Sequence, residues 1–260
     1  MRLQLLSDLH LETEAFDPEP APGAELLVLA GDIDATWAGL GRFGGWPVPV
    51  IFVAGNHEFD GRDIATTWPA LRDRCAALDL RLLECESVVL TSAEGRSVRF
   101  VGTTRWCDFE LFGPEGRERA VRAAGYFMRL MAARRDGRPF DAAQVREEAL
   151  ACRQWLKAEL ECPSSVCDAT VAITHFAPSI RSADPRYGRQ PGTASFCNAD
   201  DDLLPQADLW IHGHLHCRHD YRVDTGGGRS TRVVCNARGH ARKGEADGFD
   251  GLRVLEVFST

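Results

Sequence analysis

The sequence predicts an α/β fold whose parallel strands deliver polar residues to one rim of a sheet. Three observations carry this expectation. Five short apolar runs, residues 3–6, 26–30, 48–54, 169–173 and 209–211, have the length and β-branched content of buried strands. Each run leads into a short polar block: Asp8-Leu9-His10, Gly31-Asp32, Gly55-Asn56-His57-Glu58, Thr174-His175 and Gly213-His214-Leu215-His216. Helical or loop segments separate the runs, and side chains at the carboxyl ends of parallel strands converge on one edge, where open α/β sheets bind ligands.

The first run leads to Asp8 and His10, at i and i+2. Extended chain points both side chains the same way, so one cation can take both. The second leads to Asp32, whose two carboxylate oxygens suit it to bridge two ions. The next segment, Gly39-Leu40-Gly41-Arg42-Phe43-Gly44, matches the dinucleotide fingerprint by letter, but a strand rather than a helix follows it, so it reads as a loop. The third run leads to Asn56, a neutral oxygen donor, then His57 and Glu58. A helix is expected over residues 67–80, with Pro69 in its first turn. Residues 88–91 and 98–102 read as a hairpin around Ala93-Glu94-Gly95-Arg96.

Residues 105–160 read as a helical insert. Val121, Ala124, Met128 and Met131 share a helical face. A second helix begins at Asp141, which forms a capping-box pattern with Gln144, and stops before Pro163. Residues 114–160 hold ten Lys or Arg against seven Asp or Glu, while the whole chain carries −8. That basic segment can face an anionic substrate or simply be a solvated helix face. Strands are expected again over 169–174, 209–212, 232–236 and 252–258. A long polar loop lies between His175 and Leu203, and Gly226-Gly227-Gly228 reads as a hairpin tip.

The 260 residues, 44 % hydrophobic and 26 % charged, are those of an ordinary globular chain. One domain over 1–260 is expected. No apolar run approaches the roughly 20 residues of a membrane span. A strand at the very start, with a candidate ligand at Asp8, predicts no cleavable leader. Nine cysteines at irregular spacing, without a C-x-x-C pair, predict reduced thiols and a cytoplasmic setting. The acidic balance argues against broad nucleic-acid binding.

Two carboxylates, four histidines and an amide on one rim make a two-metal site, and mixed N/O donors suit Mn, Fe or Zn. Two divalent ions against two aspartates and a hydroxide leave a net positive charge, which attracts an anionic ester. A catalytic role is favoured for His57 over a supporting one. Glu58 reads as an orienting residue and His212 as a core histidine; His219 and His240 are not expected to be ligands.

These blocks resemble the calcineurin-like metallophosphoesterase superfamily, whose pattern is D-x-H, G-D, G-N-H-[DE], H and G-H-x-H; the resemblance runs from Asp8 to His216. Finer matches, among them Gly55-Asn56-His57-Glu58-Phe59 and Cys235-Asn236-Ala237-Arg238-Gly239, resemble a bacterial cytosolic subgroup of unassigned substrate. That subgroup more often has His, Pro and Tyr where this chain has Phe176, Ala237 and His240. The resemblance implies a four-layer α/β/β/α sandwich of two mixed sheets. It implies Asp8, His10, Asp32 and His216 on one ion, Asp32, Asn56, His175 and His214 on the other, and His57 near the leaving group.

The expectation is therefore a dinuclear phosphoesterase in which a bridging hydroxide attacks phosphorus. Diesters are slightly favoured because the insert looks able to roof a larger substrate. A phosphomonoesterase, of nucleotide or protein phosphatase type, is the alternative, and a non-catalytic scaffold a more distant one. The substrate is a phosphate ester, with nucleotides among the candidates. Arg238, Arg105 and Tyr187 are expected near it, Arg238 through bidentate contact with phosphate oxygens.

Overall fold

The computed structural model describes residues 1–162 and 167–258. In chain order the elements are β1 (Arg2–Leu6), β2 (Leu26–Ala30), β3 (Val50–Val53), α1 (Ile64–Ala77), β4 (Leu80–Leu82), β5 (Glu86–Thr91) and β6 (Ser97–Thr103). There follow α2 (Gly113–Met131), β7 (Arg134–Arg135), β8 (Arg138–Pro139), α3 (Ala142–Glu161), β9 (Ala169–Thr174), β10 (Leu209–His212), β11 (Arg218–Gly226), β12 (Arg229–Asn236) and β13 (Val254–Glu256).

Two mixed sheets form the centre. The first has the order β13-β1-β2-β3-β4, parallel except for β13; the second has the order β11-β12-β10-β9-β6-β5, with antiparallel edges β11 and β5. The period-two alternation of the strands sorts their side chains into layers. Leu3 and Leu5 of β1 and Leu26, Val28 and Ala30 of β2 meet Phe100, Ile173, Ile211 and Val234 of the second sheet. Their neighbours Leu6, Leu27 and Leu29 face the other way, into a second apolar cluster that includes Leu71 of α1 and runs on to Ala120 and Ala124 of α2 and Val145 of α3. Beyond the second sheet, Ala172, Trp210 and Val233 are covered by Leu156 and Leu160 of α3 and by Leu203 and Leu204. The α/β/β/α layering follows directly.

Some boundaries differ from expectation. Helix α1 starts three residues earlier, because Asp63 caps it by accepting from the Ala65 N–H at 3.1 Å. Pro69 therefore sits inside the helix, and Leu80 belongs to β4, not to the helix end. The capping box of Asp141 and Gln144 starts α3, which ends at Glu161; its expected stop, Pro163, lies outside the described residues. The turn between the two insert helices is a tiny hairpin of β7 and β8. Strand β11 had no clear signal because its exposed edge is polar, and of residues 252–258 only Val254–Glu256 pair as strand.

Candidate metal centre

Strands β1, β2, β3, β9 and β10 end at one rim, and all seven predicted donors lie there, on the loops that leave the strands. The backbone bends sharply to present them. Asp8, His10, Asp32, His214 and His216 all adopt left-handed conformations, with φ between 47° and 72°. Such conformations are rare for non-glycine residues and cluster where function demands them. Glycines make room beside them. A Cβ on Gly31, itself at φ 88°, would lie 2.2 Å from His175 Nδ1, and one on Gly55 would lie 2.2 Å from Asp32 Oδ1.

The donors fall into two groups that share Asp32. Asp8, His10, Asp32 and His216 each offer an atom within 4.8 Å of the others, and so do Asp32, His175 and His214. His240, set aside on sequence, also lies here: its ring is 4.5 Å from that of His10 and 5.1 Å from that of His216.

Hydrogen bonds away from the rim leave one nitrogen of each histidine facing it. His10 Nδ1 lies 3.1 Å from Glu12, His216 Nδ1 2.7 Å from Glu245, and His175 Nδ1 2.9 Å from the Ala30 carbonyl. Donation through Nδ1 assigns the lone pair to Nε2 in all three, the arrangement usual for metal-ligating imidazoles. His214 is held the other way, with Nε2 3.1 Å from the Ser195 carbonyl. Glu58 accepts from the backbone N–H groups of Asp32, Ile33 and Gly55 at 3.0, 2.8 and 2.6 Å, so it shapes two donor loops at once.

The same geometry leaves polar atoms without partners. Asp32 Oδ2, Asn56 Oδ1 and His175 Nε2 are buried and make no hydrogen bond, although the first and third stand 3.1 Å apart. His10 Nε2 and His216 Nε2 face each other at 3.0 Å. Two imidazole lone pairs so placed repel unless a cation lies beside them, and buried polar atoms seldom stay unpaired. This donor set fits a pair of divalent ions.

Charge at the rim acts on the same groups. Burial alone would raise Asp32, but the nearby imidazoles, His175 first, hold it well below the usual carboxylate range. Burial opposes protonation of His57, yet Asp32 and then Asp60, 2.7 Å from His57 Nδ1, push it up to about 10. A cation on Asp32 would cancel much of that attraction.

Asp32, Asn56, His57, His214 and His216 all open onto a cavity of about 990 Å³. Its other walls come from α2 and from the loop after β9, including Phe127, Phe176 and Phe196. Tyr187 lines it too, at its exposed edge. The two arginines expected at the substrate do not line it. Arg105 is fully buried, forked onto Asp200 at 2.8 and 2.9 Å and bonded to Asp108 at 2.8 Å and to the carbonyls of Trp106 and Ala149. Arg238 is 8 % exposed, over the Phe16 ring and 3.6 Å from Glu14. Both are held by internal partners, which corrects the expectation. His212 is satisfied on both nitrogens, by Ser182 and by the Gly213 carbonyl.

Sequence reasoning missed Asp60, Glu245 and the aromatic wall. Asp60 carried a usable signal, three residues after His57 on the same short turn. Glu245, 29 residues after His216, carried none.

A family model described as calcineurin-like phosphoesterase matches residues 1–218. Among solved structures, the phosphopantetheinyl hydrolase of Mycobacterium tuberculosis superposes with a TM-score of 0.72 at 20 % identity, covering 97 % of this chain and 95 % of its own. A Staphylococcus aureus protein with the provisional description 5'-nucleotidase, solved with alpha-ketoglutarate, gives 0.52 at 14 % identity over 92 % of this chain and 49 % of its own. At these identities the likeness is one of fold. No curated protein sequence matches the chain at a significant level.

Proposed function

This chain belongs to the calcineurin-like phosphoesterase family, and we propose that it hydrolyses phosphate esters at a pair of divalent transition-metal ions, Mn, Fe or Zn. Asp8, His10 and His216 would hold one ion, Asn56, His175 and His214 the other, with Asp32 between them. The observation that carries this reading is the pair of donor groups sharing Asp32. No donor of the family pattern is missing, which weighs against a scaffold. When bound, such a metal pair supplies Lewis-acid stabilisation of the phosphoryl oxygens and a water of lowered pKa.

The chain's own residues would do the rest. His57, half-buried at the rim and steered by Asp60, holds a proton for the leaving oxygen. The aromatic walls exclude bulk water, and Tyr187 meets the substrate at the cavity mouth. A cavity of about 990 Å³ has room for an organic group beyond the phosphate, which supports a slight preference for diesters. Phosphomonoesters, nucleotides among them, are the alternative class; the S. aureus neighbour's description is the only pointer toward a nucleotide. No described helix is long and apolar enough to cross a membrane. All nine cysteines are free, which supports a cytoplasmic setting.

The test is metal analysis after reconstitution with Mn or Zn, together with turnover on p-nitrophenyl phosphate, bis-p-nitrophenyl phosphate and cyclic nucleotides. About two ions per chain and ester cleavage lost in Asp32→Ala are expected. Saturation at one ion, or more than about a tenth of wild-type turnover in Asp32→Ala, overturns the reading.

A further inference from the structure

The cavity beside the candidate metal centre is far larger than a phosphate group needs. Its volume, about 990 Å³, is at the upper end of pockets that enclose a whole ligand of drug size, roughly 300–1,000 Å³. Its wall also has a direction. Phe176 and Phe196 lie against His214, with ring centroids 4.2 and 4.9 Å away. Phe196 meets Phe127 of α2 edge-on at 5.0 Å. From there the wall is a helical stripe, Ala123, Phe127 and Leu130, at spacings of four and three residues. Leu130 and the neighbouring Tyr126 are 63 % and 56 % exposed. An uncovered apolar strip that continues into a pocket marks a binding surface.

One polar atom interrupts this wall close to the rim. Ser195 lines the cavity at 6 % exposure, and its Oγ makes no hydrogen bond. Such a hydroxyl calls for a partner on the ligand.

We infer that the substrate of this site, taken as the phosphoesterase proposed above, carries an extended apolar arm that lies along α2, with a polar atom near the ester that meets Ser195 Oγ. A nucleoside arm fits less well, because the donors and acceptors of a base would go unpaired against Ala123, Phe127 and Leu130. Nor is Arg186 at the edge poised for a second phosphate, since its Nε and Nη2 both bond to Asp184, at 2.8 and 2.6 Å.

The experiment titrates zinc-loaded protein with ethylphosphonate and octylphosphonate, which bind without being cleaved, and measures kcat/KM on the matching n-alkyl phosphates. A buried methylene is worth up to roughly fourfold in affinity, so octylphosphonate is expected to bind at least about a hundredfold more tightly than ethylphosphonate. Phe127→Ala and Leu130→Glu are each expected to cut the octyl-to-ethyl ratio about tenfold. Leu130 is exposed, so its variant keeps the core intact even if Phe127→Ala folds poorly. A wild-type ratio near one, a ratio unchanged in Leu130→Glu, or tighter binding of adenosine 5'-phosphonate than of octylphosphonate overturns the apolar arm. Octylphosphonate bound as expected, with no ester of any length turned over, upholds the arm and refutes the phosphoesterase reading. Turnover that ignores chain length refutes the arm and leaves the phosphoesterase reading standing.

Discussion

Each histidine at the rim has one nitrogen for the interior and one for the site, and this division explains which residues could be named in advance. Metal ligation requires particular residue types at strand ends, so all seven candidate donors could be read from D-x-H, G-D, G-N-H, the lone His175 after the fourth run and G-H-x-H. The carboxylates that orient them were harder to see. Glu58 sits inside the third block and Glu12 two residues past the first, whereas Glu245 comes from a distant loop. Arg105 and Arg238 were misjudged because a guanidinium suits buried carboxylates as well as phosphate. His57 offers the sharpest test at this scale. His57→Ala is expected to lower turnover by roughly 10²–10⁴-fold on esters with alkyl leaving groups, and by much less with p-nitrophenol. Metal content should stay at the wild-type level. Equal losses on both substrates, or loss of metal, would give His57 a structural role instead.

Among the elements, strands with a continuous apolar run were read correctly, since burial on both faces leaves an unbroken signal. The start of α1 was misplaced because Asp63, four residues before the expected start, caps it, and β11 was missed because one of its faces is wet. Nothing local announced how the insert is fastened. Arg105, just past β6, bonds to the Ala149 carbonyl of α3 and to Asp200 in the loop after β9, tying three segments together. Removing one partner of a buried ion pair costs about 3–5 kcal/mol, so Arg105→Met should lose stability on that scale in denaturant unfolding at pH 7. Burial already raises Asp200, and loss of the guanidinium would raise it further. A carboxyl whose folded pKa exceeds its unfolded value near about 3.9 favours the native state when protonated. The deficit of the variant should therefore shrink as pH falls from 7 toward about 4 and grow as pH rises. A deficit that is flat, or that widens on acidification, would remove Asp200 from the explanation.

On the scale of the whole molecule, the sandwich was expected only through resemblance, because periodicity reveals strands but not which sheet each joins. The apolar cavity wall was invisible for a related reason. Phe127, Phe176 and Phe196 lie far apart in sequence and meet only in the folded chain. The rim likewise assembles distant segments around the buried carboxylates of Asp8 and Asp32, so ions bound there should brace both sheets. Chelation is expected to lower Tm. Refilling to about 100 times Kd should restore about 2.7 kcal/mol, or about 5–10 °C for a chain of this size. A Tm indifferent to both EDTA and added Mn or Zn would contradict that. Strands β6 and β9 are parallel neighbours, pairing Thr103 with Thr174 at the rim. A chain leaving β6 at the rim must travel back along the whole sheet before β9 can begin, and the 20 residues of α3 span about 30 Å for that return. Helix α3 is thus topologically obligatory, whereas α2 is a detour. Evolution or a protein engineer can exchange the detour, and with it the range of molecules admitted, while the donor rim and the path of the chain stay as they are.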